Sequence, residues 1–198
     1  EEFLKGNIRV NSDLEPLGCL GDLGWYTIRF SLWAMNYRMP HTVHGHMLSQ
    51  HGRADSPRPV PTEFSAELIF DGGVSAGFYN SFLTEQQSWG NISGTKGYLY
   101  LQDFVLPFYG AEVEFFTQQT AFVVDGCDFH IESHHRRHAV KEYANSHATS
   151  QETKLFRTFG ECVLSGKVDP FWGDVALKTQ IVMDACLRSA IEGRGVSL

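Results

Sequence analysis

No stretch of this sequence is long and apolar enough to cross a membrane; none approaches the roughly 20 residues that a bilayer demands. The first residues are charged and carry no apolar core of an export signal, so no targeting segment is visible. The expected location is the cytoplasm, or an organelle stroma or matrix if a targeting segment has been lost. Basic charge is scarce: the net charge is −7, which argues against a nucleic-acid footprint. Cysteine is sparse as well. Cys19, Cys127, Cys162 and Cys186 lie far apart and form no CxxC pair, so reduced thiols are expected rather than two bridges. No Gly-x-Ser-x-Gly elbow and no phosphate loop occur, which leaves hydrolase and NTPase chemistry without support. No Gly-x-Gly-x-x-Gly run follows an apolar strand either, so the turn that cradles a dinucleotide pyrophosphate is missing.

What is present is ordinary globular sequence. With 198 residues and 42% hydrophobic residues, the chain can bury most of its apolar surface without a staple. Near the start, Ile8-Arg9-Val10 reads as a short strand. A helix is expected from about Leu20 to Met35, with Leu23, Phe30 and Trp33 at helical spacing and Asn36 and Pro40 ending it. From His41 the pattern alternates. Strands are expected over 42–48, 63–70 and 74–79, the last two joined by Asp71-Gly72-Gly73. A second hairpin pairs 88–93 with 98–101, and a third pairs 113–117 with 121–124. Residues 125–150 are polar and His-rich, an insertion or a long hairpin. Two helices close the chain, from about 149 to 164 and from about 173 to 191, the second stopped by Gly193. The expected fold is α+β: one open, mainly antiparallel sheet with helices packed on one face. Cys19, Cys162 and Cys186 fall on helices and read as small core hydrophobes.

The densest chemistry sits in Gly18-Cys19-Leu20-Gly21-Asp22-Leu23-Gly24-Trp25-Tyr26. Residues four apart on a helix share a face, so Asp22 and Tyr26 would project into one space. A phenol beside a carboxylate is a proton-transfer pair. The structural alternative makes Asp22 a residue of the first helical turn and Tyr26 a core aromatic. Arg29 lies on the same side as Tyr26 and reads first as a helix-surface residue. His130, His134, His135, His138 and His147 raise a metal reading, but their spacing matches no finger, and no metal site is expected. His134-His135-Arg136-Arg137-His138 is a short basic patch suited to a partner's acidic surface or a neighbouring subunit. Trp172, beside Pro170 and Phe171, reads as an aromatic anchor for the last helix.

The segment around Asp22 resembles the first helix of the C-terminal domain of the Gfo/Idh/MocA oxidoreductases. In that pattern a small-residue run precedes an Asp, a Gly follows two residues on, and a His or Tyr four residues on. Asp22, Gly24 and Tyr26 fill those places. Gly94-Thr95-Lys96-Gly97-Tyr98-Leu99 resembles the family's Gly-Thr-Lys-Gly-x-Leu hairpin. Ala176 to Ala185 and Val196-Ser197-Leu198 resemble its last helix and closing strand. The nearest branch is the dihydrodiol-dehydrogenase-like and plant-type one.

The resemblance implies the substrate-binding and oligomerisation half of an NAD(P)-dependent dehydrogenase for CH–OH groups of a sugar, polyol or dihydrodiol. Asp22 and Tyr26 would be catalytic. A tyrosine titrates near ~10 and needs a cation to act near neutral pH. The family's Lys, in a Glu-Lys-Pro motif, would supply it, and that motif has no counterpart here. Trp172 would lie near the nicotinamide. Residues 1–198 are thus expected to form a single substrate-binding and oligomerisation domain, a piece of a larger enzyme whose dinucleotide-binding domain is absent. NAD or NADP is expected in the complete enzyme and no cofactor on this chain alone, which would be inactive by itself. Phe64, Phe78, Phe82 and Trp89 make the strands aromatic, so an uncovered sheet face would be an apolar patch and a second copy is expected to cover it. The alternative function is a non-catalytic sheet module for dimerisation or scaffolding.

Overall fold

A computed structural model describes residues 2–106, 111–142 and 147–198. The chain divides into two compact units, Glu1–Glu85 with Pro170–Leu198, and Gln86–Asp169.

The first unit begins with α1 (Glu2–Gly6), a 3₁₀ turn at Ile8–Val10, α2 (Gly18–Asp22) and α3 (Gly24–Ala34). Strands β1 (Thr42–His51), β2 (Val60–Phe70) and β3 (Val74–Ser81) follow. The strand expected at Ile8-Arg9-Val10 is a 3₁₀ turn because Asn7 caps it: its side chain accepts from the Arg9 amide at 3.0 Å, and the Asn11 amide donates to the Ile8 carbonyl. The single helix expected from Leu20 to Met35 is two segments broken at Leu23. A buried side chain explains the break. Asn80 on β3, with its amide oriented to satisfy both ends, accepts from the Gly24 amide at 3.1 Å and draws that donor out of the helical ladder.

Alternation on β2 decides which way its sheet faces. Phe64, Ala66, Leu68 and Phe70 are buried, whereas Glu63, Ser65, Glu67 and Ile69 lie on the other face. The helix α5 (Pro170–Glu192), opening on a proline suited to a first helical turn, covers the buried face. Its buried residues Val175, Thr179, Val182, Met183 and Cys186 recur at helical spacing, and Val182, Met183 and Cys186 meet Ile28 and Leu32 of α3 in one core. After α5 the short β8 (Val196–Ser197) pairs with β1, giving the antiparallel order β3-β2-β1-β8. The antiparallel sheet with helices on one face is therefore present in this unit. Its aromatics do not make the outer face apolar. Phe64 is buried in the core, Phe78 and Phe82 pack against it, and the outward side carries Glu63, Ser65, Glu67 and, opposite them on β1, His44 and His46.

The second unit holds β4 (Gly90–Gly94), β5 (Gly97–Leu101), β6 (Glu112–Asp125), β7 (Asp128–Lys141) and α4 (Gln151–Ser165), with the antiparallel order β4-β5-β6-β7. The hairpin expected between 113–117 and 121–124 does not form, since both stretches lie on β6. Gln118-Gln119-Thr120 offers no turn geometry, while Gly126, at φ 60°, does, so the chain reverses at Gly126-Cys127. Much of the His-rich segment expected at 125–150 is thus the return strand β7; residues 143–146 of it lie outside the described residues. Helix α4 is capped by Ser150 and ended by Gly166, and none of its side chains is buried. Cys162 on α4 is half-buried and so is not the core hydrophobe expected.

Candidate functional site at the α2–α3 junction

Asp22 closes α2, Tyr26 lies in the first turn of α3, and Leu23 between them keeps right-handed helical angles (φ −88°, ψ −34°). The four-residue offset that puts two side chains on one face of a helix thus spans the junction. Tyr26 is no core aromatic: it is 47% exposed, while Ile28 and Leu32 on the neighbouring face are fully buried. The core holds the helix, and the phenol is turned outward.

Beside the two stands a residue that helical spacing does not reveal. Arg9 donates from Nε to Asp22 Oδ1 at 2.6 Å. The guanidinium charge is favoured first by that hydrogen bond and the Asp22 charge, then by Tyr26 and Glu15. Burial, more than any neighbour, holds the Glu15 carboxyl above its usual range. The sequence does carry a signal for Arg9. It is the one cation between Lys5 and Arg29, in a stretch that also carries Asp13, Glu15 and Asp22. Nothing local gives its partner, which is 13 residues away.

The other sequence-predicted residues lie elsewhere. Arg29 donates from Nε to Thr179 Oγ1 on α5 at 2.8 Å, and its guanidinium sits 5.4 Å from the Trp25 ring centre. It pins α3 to α5 rather than serving Tyr26. Trp172 lies at the start of α5, 53% exposed, with its ring edge-on to Phe171, which in turn meets Tyr37. Tyr37 follows the end of α3, and the helical stretch from Tyr26 to Ala34 alone spans about 12 Å. Asp22 and Tyr26 therefore lie at the start of α3, whereas Trp172, through Phe171 and Tyr37, lies beyond its far end. On β7, His130, His134 and His138 share one face, and both His130 and His134 point Nε2 at Glu132, at 3.2 Å each. His135 occupies the other face, stacked on Phe116, and His147 meets Thr149. Among the described residues no group of His, Cys, Asp or Glu could hold a metal ion. Burial raises the Cys19 and Cys186 thiols to about 12, so neither is a nucleophile near neutral pH.

With this geometry, the comparison with known proteins is direct. The family model for the GFO/IDH/MocA C-terminal domain matches residues 2–100, half of the chain. The chain belongs to that family. Solved structures agree in fold. An aldose–aldose oxidoreductase from Caulobacter crescentus, complexed with glycerol, has a TM-score of 0.68 at 20% identity, over 98% of this chain and 52% of that one. GenD2 from gentamicin A biosynthesis, in complex with NAD, also scores 0.68, at 18% identity over 98% and 52%. A tyrosine-to-phenylalanine mutant of KijD10, a 3-ketoreductase from Actinomadura kijaniata in complex with TDP-benzene and NADP, scores 0.70 at 21% identity over 93% and 49%. The chain spans about half the length of the solved structures that it matches. At these identities the likeness is one of fold.

Family membership implies a nicotinamide cofactor, and the residues of this chain can be tested against it. Both sheets are antiparallel, and the one parallel contact among the described residues is the isolated bridge between Ser88 and Asp103. A dinucleotide crevice needs parallel strands and a glycine-rich turn into a helix. The described residues build neither, so they do not fit the pyrophosphate of NAD(P). No helix among them is long and apolar enough to cross a membrane.

Proposed function

We propose that this chain is the substrate-binding half of an NAD(P)-dependent oxidoreductase acting on a CH–OH group of a sugar, polyol or dihydrodiol, with Asp22 and Tyr26 handling the proton. The observation that carries the reading is the pair itself: a half-exposed phenol and a carboxylate four residues apart across the junction of two helices whose other faces are buried in the core. Two of the matched structures are complexes with NAD and NADP, and one of these is the proposed cofactor of the complete protein. The part of those structures that this chain does not span is the proposed place for it. Oxidising a CH–OH carbon to a carbonyl releases a hydride and the hydroxyl proton. Tyr26 Oη takes that proton in the oxidation and returns it in the reverse reaction, while Asp22 orients the phenol or the substrate hydroxyl. Trp172, on the same unit, is the residue proposed to meet the cofactor.

The test is a turnover panel. The complete protein is assayed with NAD⁺ and NADP⁺ against polyols, sugars and trans-dihydrodiols. The expected result is reduction of the nicotinamide with at least one class and its loss when Tyr26 is replaced by Phe. A protein that reduces no nicotinamide with any of them overturns the reading in favour of a non-catalytic scaffold.

Association through an open sheet face belongs to the same reading. Its support lies in the second unit, where Phe122, Val124, Phe129 and Ile131 share one face of the β6–β7 tip and are 57–72% exposed. Four large apolar side chains held in water on one ladder face favour a protein partner, here a second copy. Light scattering is expected to give twice the 22.3 kDa chain mass at micromolar concentration. A mass equal to one chain removes the proposal.

A further inference from the structure

Two apolar surfaces of the second unit stand largely in water. The first is the end of the β6–β7 hairpin. Strand β5 pairs with β6 only as far as Gln118, so residues 119–134 continue as a two-stranded arm, with no third strand among the described residues. The arm extends about 23 Å beyond that pairing, at 3.3 Å per residue from 119 to 125. Every residue of it is exposed. A ribbon of two strands is marginal in water without something to pack on. One face of this one carries Phe122, Val124, Phe129 and Ile131, with the rings of Phe122 and Phe129 6.0 Å apart. The second surface is on α4. Leu155, Phe156, Phe159 and Val163 recur at helical spacing as one stripe, and they are 62–72% exposed. A helix with such a stripe is stabilised chiefly by what the stripe packs against.

The two surfaces carry opposite charge. Residues 119–134 hold Asp125, Asp128 and Glu132 and no lysine or arginine. Residues 154–167 hold Lys154, Arg157 and Lys167 against Glu161 alone. Tip against tip would set acid on acid, whereas tip against helix sets an acidic arm on a basic helix. A two-fold axis makes that contact twice, with the tip of each copy on the helix of the other. All four patches are then covered, and the assembly closes at two chains.

We propose that the β6–β7 arm of each copy lies across the α4 stripe of a second copy, the Phe122–Phe129 face packing on Phe156 and Phe159. The proposal rests on the association put forward above and adds the surface that receives the tip.

The test reads proximity between copies through thiols. Cys127, at the tip, is exposed, while Cys19 and Cys186 are buried. Thr158 is exposed on α4 and borders the stripe beside Phe159. One form of the chain carries Cys162→Ser and keeps Cys127 as its tip thiol. The other carries Cys127→Ser, Cys162→Ser and Thr158→Cys, and so has a helix thiol instead. The two are co-expressed and treated with a flexible bismaleimide longer than the stripe, which runs about 12 Å. A covalent dimer joining one form to the other is expected, identified by mass spectrometry of the linked peptides. Neither form expressed alone is expected to cross-link. A first form that links to itself shows tip on tip, and a second form that links to itself shows helix on helix. Either result overturns the proposal, as does a mixture that yields no cross-link. A light-scattering mass of one chain removes the association reading and this proposal with it. A two-chain mass without the mixed cross-link removes this proposal alone, so the two failures are told apart.

Discussion

Replacing Tyr26 by Phe is expected to lower kcat of the complete protein by about 10²–10⁴, the usual range for removing a positioned acid–base group. The substitution removes one oxygen. The ring remains, and because Tyr26 is 47% exposed, its hydroxyl supports no core contact that the fold would miss. Thermal stability should thus stay close to wild type, and cofactor affinity should be nearly unchanged. Asp22→Asn should act in the same direction with a smaller effect, since the amide still accepts from Arg9. The double variant should fall short of the sum of the two, because both residues serve one network. Kinetics of the four proteins on whichever substrate the panel identifies provide the check. Full turnover in Tyr26→Phe would make the outward phenol an ordinary surface residue.

Gly45→Ala is expected to be strongly damaging to the first unit. Gly45 lies on β1 where the strand runs closest to α5. A Cβ built there would stand 2.2 Å from the Cys186 carbonyl oxygen and 3.1 Å from the Phe64 ring. The obstacle is backbone, which cannot rotate away. The Gly45 amide also donates to Ser189 Oγ at 2.9 Å, and Ser189 in turn donates to the Arg194 carbonyl at 2.6 Å. Moving β1 off α5 therefore breaks a buried hydrogen bond as well as packing. Overpacking typically costs about 1–3 kcal/mol, and with the broken bond the expected loss is about 3 kcal/mol or more. For a chain of this size that corresponds to a fall in Tm of roughly 6–12 °C. Gly160→Ala on α4 is the contrasting control. Nothing lies within 4 Å of the new Cβ, and alanine in a helix is favoured over glycine by about 1 kcal/mol. Denaturant melts of both variants decide the matter. A Gly45→Ala protein within about 1 kcal/mol of wild type would show that β1 and α5 are not in close register.

These residues also show where the fold is legible in the sequence. Helix α5 can be read because a helix buried along one stripe must repeat its apolar residues every three or four positions, and Val175, Val182, Met183 and Cys186 do so. The β2–β3 hairpin can be read because Asp71-Gly72-Gly73 admits positive φ and the flanking strands alternate. Strand β6 cannot be read at its full length. Both its faces are largely exposed, so burial imposes no alternation, and Gln118-Gln119-Thr120 resembles a break between two strands. The break at Leu23 is hidden because its cause, the side chain of Asn80, is far away in sequence. The site shows the same division. The Asp22–Tyr26 pair follows from local spacing. Arg9 reaches it through tertiary structure, which local spacing does not encode. Trp172, inferred from resemblance alone, stands at the other end of α3.

The most direct measurement is a crystal structure of the complete protein with NAD(P) and a substrate from the turnover panel. The account predicts the Tyr26 hydroxyl within hydrogen-bonding distance, about 3 Å, of the oxygen on the reacting carbon, with Asp22 still held by Arg9. A reacting oxygen bound by other groups, with Tyr26 turned to solvent, would contradict it.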